Sequence, residues 1–527
     1  MFDLVIANGL LADGVSPTLA RKDVAIDGGA IAAVEDHISP GRARRVIDAG
    51  GDVVAPGFVD VHSHSDYYLI VDPRALSKTM QGVTTEVGGN CGYAAAPMDG
   101  AVRARRARDY RAQFGIDVPW RSLAGYFEAL SKNGSGVNFA ALLGYNTIRG
   151  SALGEGAVQP DAGGMKAVRK LITEGLDHGA LGMSVGVVYP PACFAGVDEF
   201  AEAFRVVAER GRIFTTHIRS EGARLLEALE EAVAVAKRSG ARLQVSHLKT
   251  AGKANWGKLD RAFEILEGAM ADGVPLMADR YPYLASNTGL QVALPDWAFD
   301  GGRDALVARL STSGDRERFK REILLSHPEP EYWGTVMISQ VVTEKNRDLE
   351  GLTVVQGAEK RGKDVFEFYF DTLLEENTDV EAIFFCMNAE NLERILKKPW
   401  VVPGSDAGAR AAEGPLSIGK PHPRTFGTYP RYFGEFVRER GIMPLAEAVR
   451  RATSLPCEFF GIPRRGRIAP GYNADVVVFD PATIADNATY EAPHAYPTGI
   501  SHVLVNGVAA VERGRPTGRL GGAVVTP

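Results

Sequence analysis

Over some 400 central residues the chain alternates short apolar β-type runs with amphipathic helical stretches, and this alternation constrains the fold more than any other feature. Phe139 to Leu143 reads as a strand and Gly163 to His178 as a helix. Ile213 to His217 is a strand, followed by a helix over Ala223 to Ser239. Leu243 to His247 is a strand, followed by a helix over Lys258 to Asp272. Such alternation argues for a parallel sheet, because parallel strands need a crossover connection between them. Polar residues of catalytic type recur directly at strand C-terminal ends, which favours a barrel, where active sites sit at that face.

The two ends have a different texture. Leu4 to Ile6, Val24 to Ile26, Ile31 to Val34 and Val53 to Ala55 are β-type runs separated by turn residues such as Asn8-Gly9 and Asp27-Gly28-Gly29. Ala474 to Phe479 and Val503 to Val505 repeat this character, with Asn506-Gly507 as a hairpin turn. One small sheet domain built from both termini is the expectation. Residues from about 291 to 348 break the central rhythm with charge (Asp315 to Arg321) and aromatics (Trp297, Tyr332, Trp333), and read as an insertion. A length of 527 residues would allow two to four domains, but a single large barrel with attachments fits equally well.

Composition narrows the function classes. Apolar residues at 45% and charged residues at 24% are ordinary globular values, which excludes a disordered or fibrous chain. A formal charge of −6 offers no basic excess for nucleic acid. No apolar run approaches about 20 residues, so no membrane span is expected. The start, Met-Phe-Asp-Leu-Val-Ile, lacks the basic stretch and long apolar run of a signal peptide. Four cysteines in so long a chain do not make a disulfide framework, and a reducing cytoplasm is the simpler setting. Oligomeric state is left open.

Candidate chemistry lies at the strand ends. His62 and His64 stand at i and i+2 after an apolar strand, so both imidazoles share a face, as a metal site needs. Cys91 follows a β run between Asn90 and Gly92, where a thiolate suits a borderline-soft ion; the alternative is a buried inert cysteine. His217 and His247 end strands some 30 residues apart, at equivalent positions of adjacent units. Asp406, in Gly404-Ser405-Asp406-Ala407, is a late strand-end carboxylate that could ligate metal, shuttle a proton, or merely cap a turn. The joint pattern is far more specific than any member.

At these residues the sequence resembles the N-acyl-D-amino-acid deacylase (D-aminoacylase) branch of the amidohydrolase superfamily. The motifs that carry the resemblance are Gly82-Val83-Thr84-Thr85 leading into Gly89-Asn90-Cys91-Gly92, Gly182-Met183-Ser184 with Tyr189-Pro190-Pro191, and Ser246-His247-Leu248-Lys249. Asp279-Arg280-Tyr281-Pro282-Tyr283, Gly404-Ser405-Asp406 and His422-Pro423-Arg424-Thr425-Phe426-Gly427-Thr428 follow in the same order. The ends match too, through Asp3 to Gly9 and Gly471 to Asp480.

The resemblance implies a (β/α)8 barrel over 57–461, a β-sandwich from 1–56 plus 462–527, and an insertion subdomain at 291–348. It implies zinc-dependent hydrolysis of N-acyl-D-amino acids, with one tightly held zinc on Cys91, His217 and His247 and a second, weaker metal position lined by His62 and His64. Asp406 would be the catalytic base, and Tyr189 would help polarise the substrate carbonyl. Lys249, Tyr281, Asn287, Thr288 and Arg424 fall at positions that hold the substrate. Asn287 stands where many relatives have Ser and Leu248 where many have His, departures that bear on side-chain preference and not on the reaction. Alternatives are a dipeptidase on D-configured or N-acyl dipeptides and a cyclic-amide hydrolase. Ring openers usually bridge two metals with a carboxylated lysine, and Cys91 occupies the corresponding region here. A scaffold that has lost its chemistry is a further alternative, but such relatives lose ligands that this chain keeps.

Overall fold

The computed structural model describes residues 1–527. Its centre is an eight-stranded parallel sheet: β1 Phe58–Asp60, β2 Val83–Gly88, β3 Asn138–Gly144, β4 Gly182–Gly186, β5 Ile213–His217, β6 Arg242–Val245, β7 Leu276–Arg280 and β8 Val401–Pro403. Each strand pairs with its predecessor and successor in the chain. The ring closes just beyond the strands, where Ser63 and Ala407 form a parallel bridge and the Asp406 N–H donates to the His62 carbonyl at 2.8 Å. The expected (β/α)8 barrel is therefore what the chain forms.

Side-chain alternation explains why near-continuous apolar runs make these strands. Along β3, Ala140 and Leu142 join Val59, Val87, Ile213 and Val402 in one buried cluster, whereas Phe139, Ala141 and Leu143 belong to the large cluster shared with the helices. Strands covered on both faces need apolar residues at every position. The helices present one apolar stripe each. Ala162–Asp177 starts at Asp161, whose carboxylate accepts the Gly164 N–H at 2.7 Å. Leu225–Ser239 buries Leu225, Ala228, Leu229 and Ala232 and stops at Gly240, which takes a left-handed φ of 77°.

The terminal strands form one nine-stranded sheet, joined where Val476–Phe479 pairs antiparallel with Val53–Pro56. The sheet curls on itself: Ile6, Val24 and Ile26 from one end share a core with Val476, Val478 and Leu504 from the other. Asn506 and Gly507 both have positive φ, 48° and 79°, as a two-residue type I′ hairpin requires. Between β7 and β8 the chain leaves the barrel. Ala285–Gly289, Val336–Gln340 and Glu381–Phe385 make a separate antiparallel sheet, and the helices around it have their own core, including Leu290, Phe319, Trp333 and Phe370. Residues 291–348 fall within this excursion. No helix is long and apolar enough to cross a membrane.

Phe58, fully buried, joins the barrel to the terminal sheet. Its ring stacks on Phe433 at 4.8 Å and Tyr429 at 5.4 Å and meets Phe479 of the terminal sheet edge-on at 6.0 Å. Phe58→Ala should cost about 3–5 kcal/mol of stability. A lowered denaturation midpoint checks this, and an unchanged midpoint would show that the two units are held together elsewhere.

Candidate active site

The C-terminal ends of β1, β2, β5, β6 and β8 bring His62, His64, Cys91, His217, His247 and Asp406 together. The Cys91 sulfur lies 3.3 Å from His62 Nε2, 3.6 Å from His247 Nε2 and 3.8 Å from His217 Nδ1. Two ligand groups share it: Cys91 with His217 and His247, and Cys91 with His62, His64 and Asp406. The Asp406 carboxylate is 3.0 Å from His64 Nε2 and 3.4 Å from His62 Nε2.

Backbone strain is concentrated here. Cys91, His247 and Asp406 have φ of 51°, 37° and 49°, in the left-handed region that side chains avoid. Such residues cost of order 1–3 kcal/mol each and persist only where surrounding contacts over-determine them. For Cys91 those contacts are visible. Asn90 Nδ2 donates to the carbonyls of Val87 (2.8 Å) and Val61 (3.2 Å), and Ser184 Oγ accepts the Gly92 N–H at 2.9 Å.

Electrostatics divide the cluster: the Cys91 thiol and the His217 imidazole are pushed down, whereas neighbouring anions push His62, His64 and His247 up against the effect of burial. Burial would raise the Cys91 thiol, yet His62, His217 and His247 hold it well below the ordinary thiol value. Burial lowers the His217 imidazole, against the opposite pull of Glu221 and Cys91. Burial would also raise the Asp406 carboxyl, but Arg424, His247 and His62 hold it well below the carboxylate range. Burial alone would lower His64; hydrogen bonds to Asp406 and Cys91 push it up to about 9.

Two carboxylates outside the expected set contact these imidazoles. Glu221 reaches His247 Nδ1 at 2.8 Å and His217 Nε2 at 3.9 Å, the nitrogens that face away from the sulfur. Asp279, on β7, accepts from His62 Nδ1 at 3.1 Å and from the His247 backbone N–H at 3.0 Å. Both could have been found in the sequence. Glu221 follows His217 by four residues, and Asp279 is a strand-end acid like Asp406. Carboxylates in this position fix the tautomer of a ligating imidazole and raise its basicity.

The expected substrate-binding residues line one side of this cluster. Tyr189 Oη lies 2.8 Å from Thr288 Oγ1, and the Tyr189 ring is 4.9 Å from that of His217. Lys249 is ion-paired with Glu221, and its ammonium sits 2.9 Å from His247 Nδ1. Arg424 pairs with Asp406 at 2.8 Å and lies 4.5 Å over the Tyr281 ring. The Tyr281 hydroxyl, fully buried, has no hydrogen-bond partner. Asn287 is engaged differently: its side chain donates to Glu381 at 2.9 Å and accepts from Ser339 at 3.1 Å, and only its carbonyl meets Arg424, at 3.3 Å.

An acid–thiolate–imidazole cluster at the C-terminal mouth of a parallel barrel defines a metal-assisted hydrolase. The amidohydrolase family model matches residues 45–296 and 365–511. An N-acyl-D-glutamate deacylase of Alcaligenes xylosoxydans xylosoxydans is 35% identical, with 98% of this chain and 96% of that one covered. A D-aminoacylase of the same organism is 34% identical over 99% of this chain and 97% of its own. Among solved structures, an N-acyl-D-glutamate deacylase from Bordetella bronchiseptica, complexed with zinc and a phosphonate mimic of the tetrahedral intermediate, superposes with a TM-score of 0.82 at 31% identity, with both chains fully covered. The chain belongs to the amidohydrolase family, in its N-acyl-D-amino-acid deacylase branch, and is a hydrolase acting on amide bonds.

Glu221→Gln should weaken metal binding about 10–100-fold. Competition with a chelator measures this. Unchanged affinity would leave Glu221 as no more than the ion-pair partner of Lys249.

Proposed function

We propose that the protein hydrolyses N-acyl-D-amino acids to a carboxylate and a free D-amino acid, with zinc held by Cys91, His217 and His247. The observation that carries this reading is the convergence of those three ligands beside Asp406. One thiolate and two imidazoles, with nitrogens 3.6 and 3.8 Å from the sulfur, are a donor set that suits zinc. One tight site is the natural count. His62 and His64 offer a second, weaker position that would have to share the same sulfur.

Zinc held there would supply Lewis acidity and activation of a water. Asp406 would act as the base that accepts a proton from the water adding to the amide carbonyl and as the acid that passes it to the leaving amine as the C–N bond breaks. The Tyr189 hydroxyl donates to the oxyanion that develops on the amide carbonyl, a contribution of about 2.7–4 kcal/mol for one well-placed donor. Lys249, Tyr281, Thr288 and Arg424 hold the α-carboxylate. Arg424 is shared: it rests on Asp406, and a substrate carboxylate draws its charge away and frees the base. The preference for the D-configuration is taken from the two relatives named for D-amino-acid substrates. A cytoplasmic setting suits four cysteines that are all free.

Assaying N-acetyl-D-amino acids against their L-forms, with metal analysis on the same sample, tests the reading. Turnover of the D-forms with about one zinc per chain is the expected result. Two metals and preferential opening of cyclic amides would replace it. Asp406→Asn should keep KM and lose most of kcat, on the order of 10²-fold or more. An unchanged kcat would make Asp406 a turn cap.

The carboxylate anchor makes a separate prediction. Amides and esters of the N-acyl-D-amino acids should be poor substrates, because a neutral group forgoes the charge-assisted contacts to Lys249 and Arg424 and leaves Arg424 held on Asp406. Arg424→Ala should lower kcat/KM for the acid roughly ten- to a hundred-fold and narrow its advantage over the amide. Equal hydrolysis of acid and amide by the unaltered enzyme would point to a longer or cyclic substrate.

A further inference from the structure

Lys78 is a buried cation that the chemistry above does not use. It belongs to the short helix Leu76–Thr79, which leads into β2, and its side chain has no exposure. Four groups surround its ammonium: Asp60 Oδ2 at 2.7 Å, Ser405 Oγ at 2.8 Å, the Ala407 carbonyl at 2.8 Å and Glu86 Oε1 at 3.0 Å. Asp60 and Glu86 are as fully buried as Lys78.

These partners come from three separate strand ends. Asp60 ends β1 and reaches across the closure of the barrel, where its Oδ1 accepts the Ser405 N–H at 2.9 Å and its Oδ2 accepts the Ser405 hydroxyl at 2.5 Å. The same Oδ1 accepts the His62 N–H at 3.3 Å. Glu86, on β2, accepts from Ser63 at 2.8 Å and from Ser65 at 2.9 Å, the residues flanking His64. Lys78 thus touches both neighbours of Asp406, through Ser405 and Ala407, while its two carboxylate partners grip the His62–Ser65 segment. Asp406 itself is in the left-handed region and needs such external support.

We propose that Lys78 is a positioning residue, which with Asp60 and Glu86 clamps the Ser405–Ala407 turn and so aims the Asp406 carboxylate at the metal-facing histidines. Bringing one cation between two carboxylates in a water-free interior is a costly way to stabilise a fold, and apolar residues would serve stability as well. What the ion cluster provides is a geometry with directional bonds to each loop. Holding a catalytic group to better than about 1 Å is worth up to about 10²-fold in rate. The inference rests on the assignment of Asp406 as the base.

The test is a double-mutant cycle between Lys78→Met and Asp406→Asn, with kcat, KM and zinc content measured for each variant. Lys78→Met should lower kcat about ten- to a hundred-fold, keep KM within about threefold, and retain zinc on Cys91. In the Asp406→Asn background it should have almost no further effect on kcat, since there is no base left to aim. A merely structural role would lower kcat equally in both backgrounds and would overturn the proposal, as would a folded Lys78→Met protein with full kcat. If Lys78→Met does not fold, Ser405→Ala, which removes one hydroxyl from the clamp, takes its place: loss of kcat at constant KM supports the clamp, and unchanged kcat refutes it. If Asp406→Asn alone keeps full activity, the base assignment has failed, and the clamp with it.

Discussion

One sulfur atom organises this site. Cys91 Sγ lies within 3.8 Å of nitrogens from three histidines, each carried by a different barrel strand. No thiolate could be buried there without them, since taking an isolated charge out of water is far too costly. Two of the histidines in turn are held by carboxylates, His247 by Glu221 and His62 by Asp279. The strained backbones of Cys91 and His247 and the close fit of the glycines around Cys91 follow from the need to bring these groups to one point.

Beyond the sulfur, charge in this interior is organised by pairing. Lys249 answers Glu221, Arg424 answers Asp406, and Lys78 answers Asp60 and Glu86. A buried pair contributes little net stability, but removing one partner leaves an uncompensated charge. The pairs therefore act as positional constraints more than as glue. Two of them, at Lys249 and Arg424, lie beside the histidine cluster, so both cations next to it are already compensated by protein carboxylates.

The rest of the molecule keeps this mouth rigid and bounded. The curled terminal sheet packs through Phe479 onto Phe58 and the aromatic residues Tyr429 and Phe433, which lie just past Arg424. The excursion between β7 and β8 brings Thr288 to Tyr189 and the Asn287 carbonyl to Arg424. Its own aromatic core makes it a wall that is independent of the barrel's packing.

Much of this was legible from the residues in order. Alternating strands and helices, the strand-end positions of His62, His217, His247 and Asp406, and the turn chemistry of Asn506-Gly507 are local or periodic signals, and periodicity survives without knowledge of the fold. The helices around 162–177, 225–239 and 259–271 lie within two residues of where their amphipathic patterns put them. Glu221 and Asp279 were in view as letters but not as partners, because what they contact lies on other strands. Asn287 falls at a position the resemblance gives to substrate, and in the fold its amide meets Glu381 and Ser339 of the neighbouring strands, contacts that no local pattern shows. Which carboxylate faces which imidazole, and that Lys78 sits beside Ser405 across 327 residues of chain, depend on the closing of the barrel. Residue type and spacing determined what chemistry the chain carries; the tertiary structure alone decided which charges meet, because only the folded barrel brings distant strand ends within hydrogen-bonding distance in a dry interior.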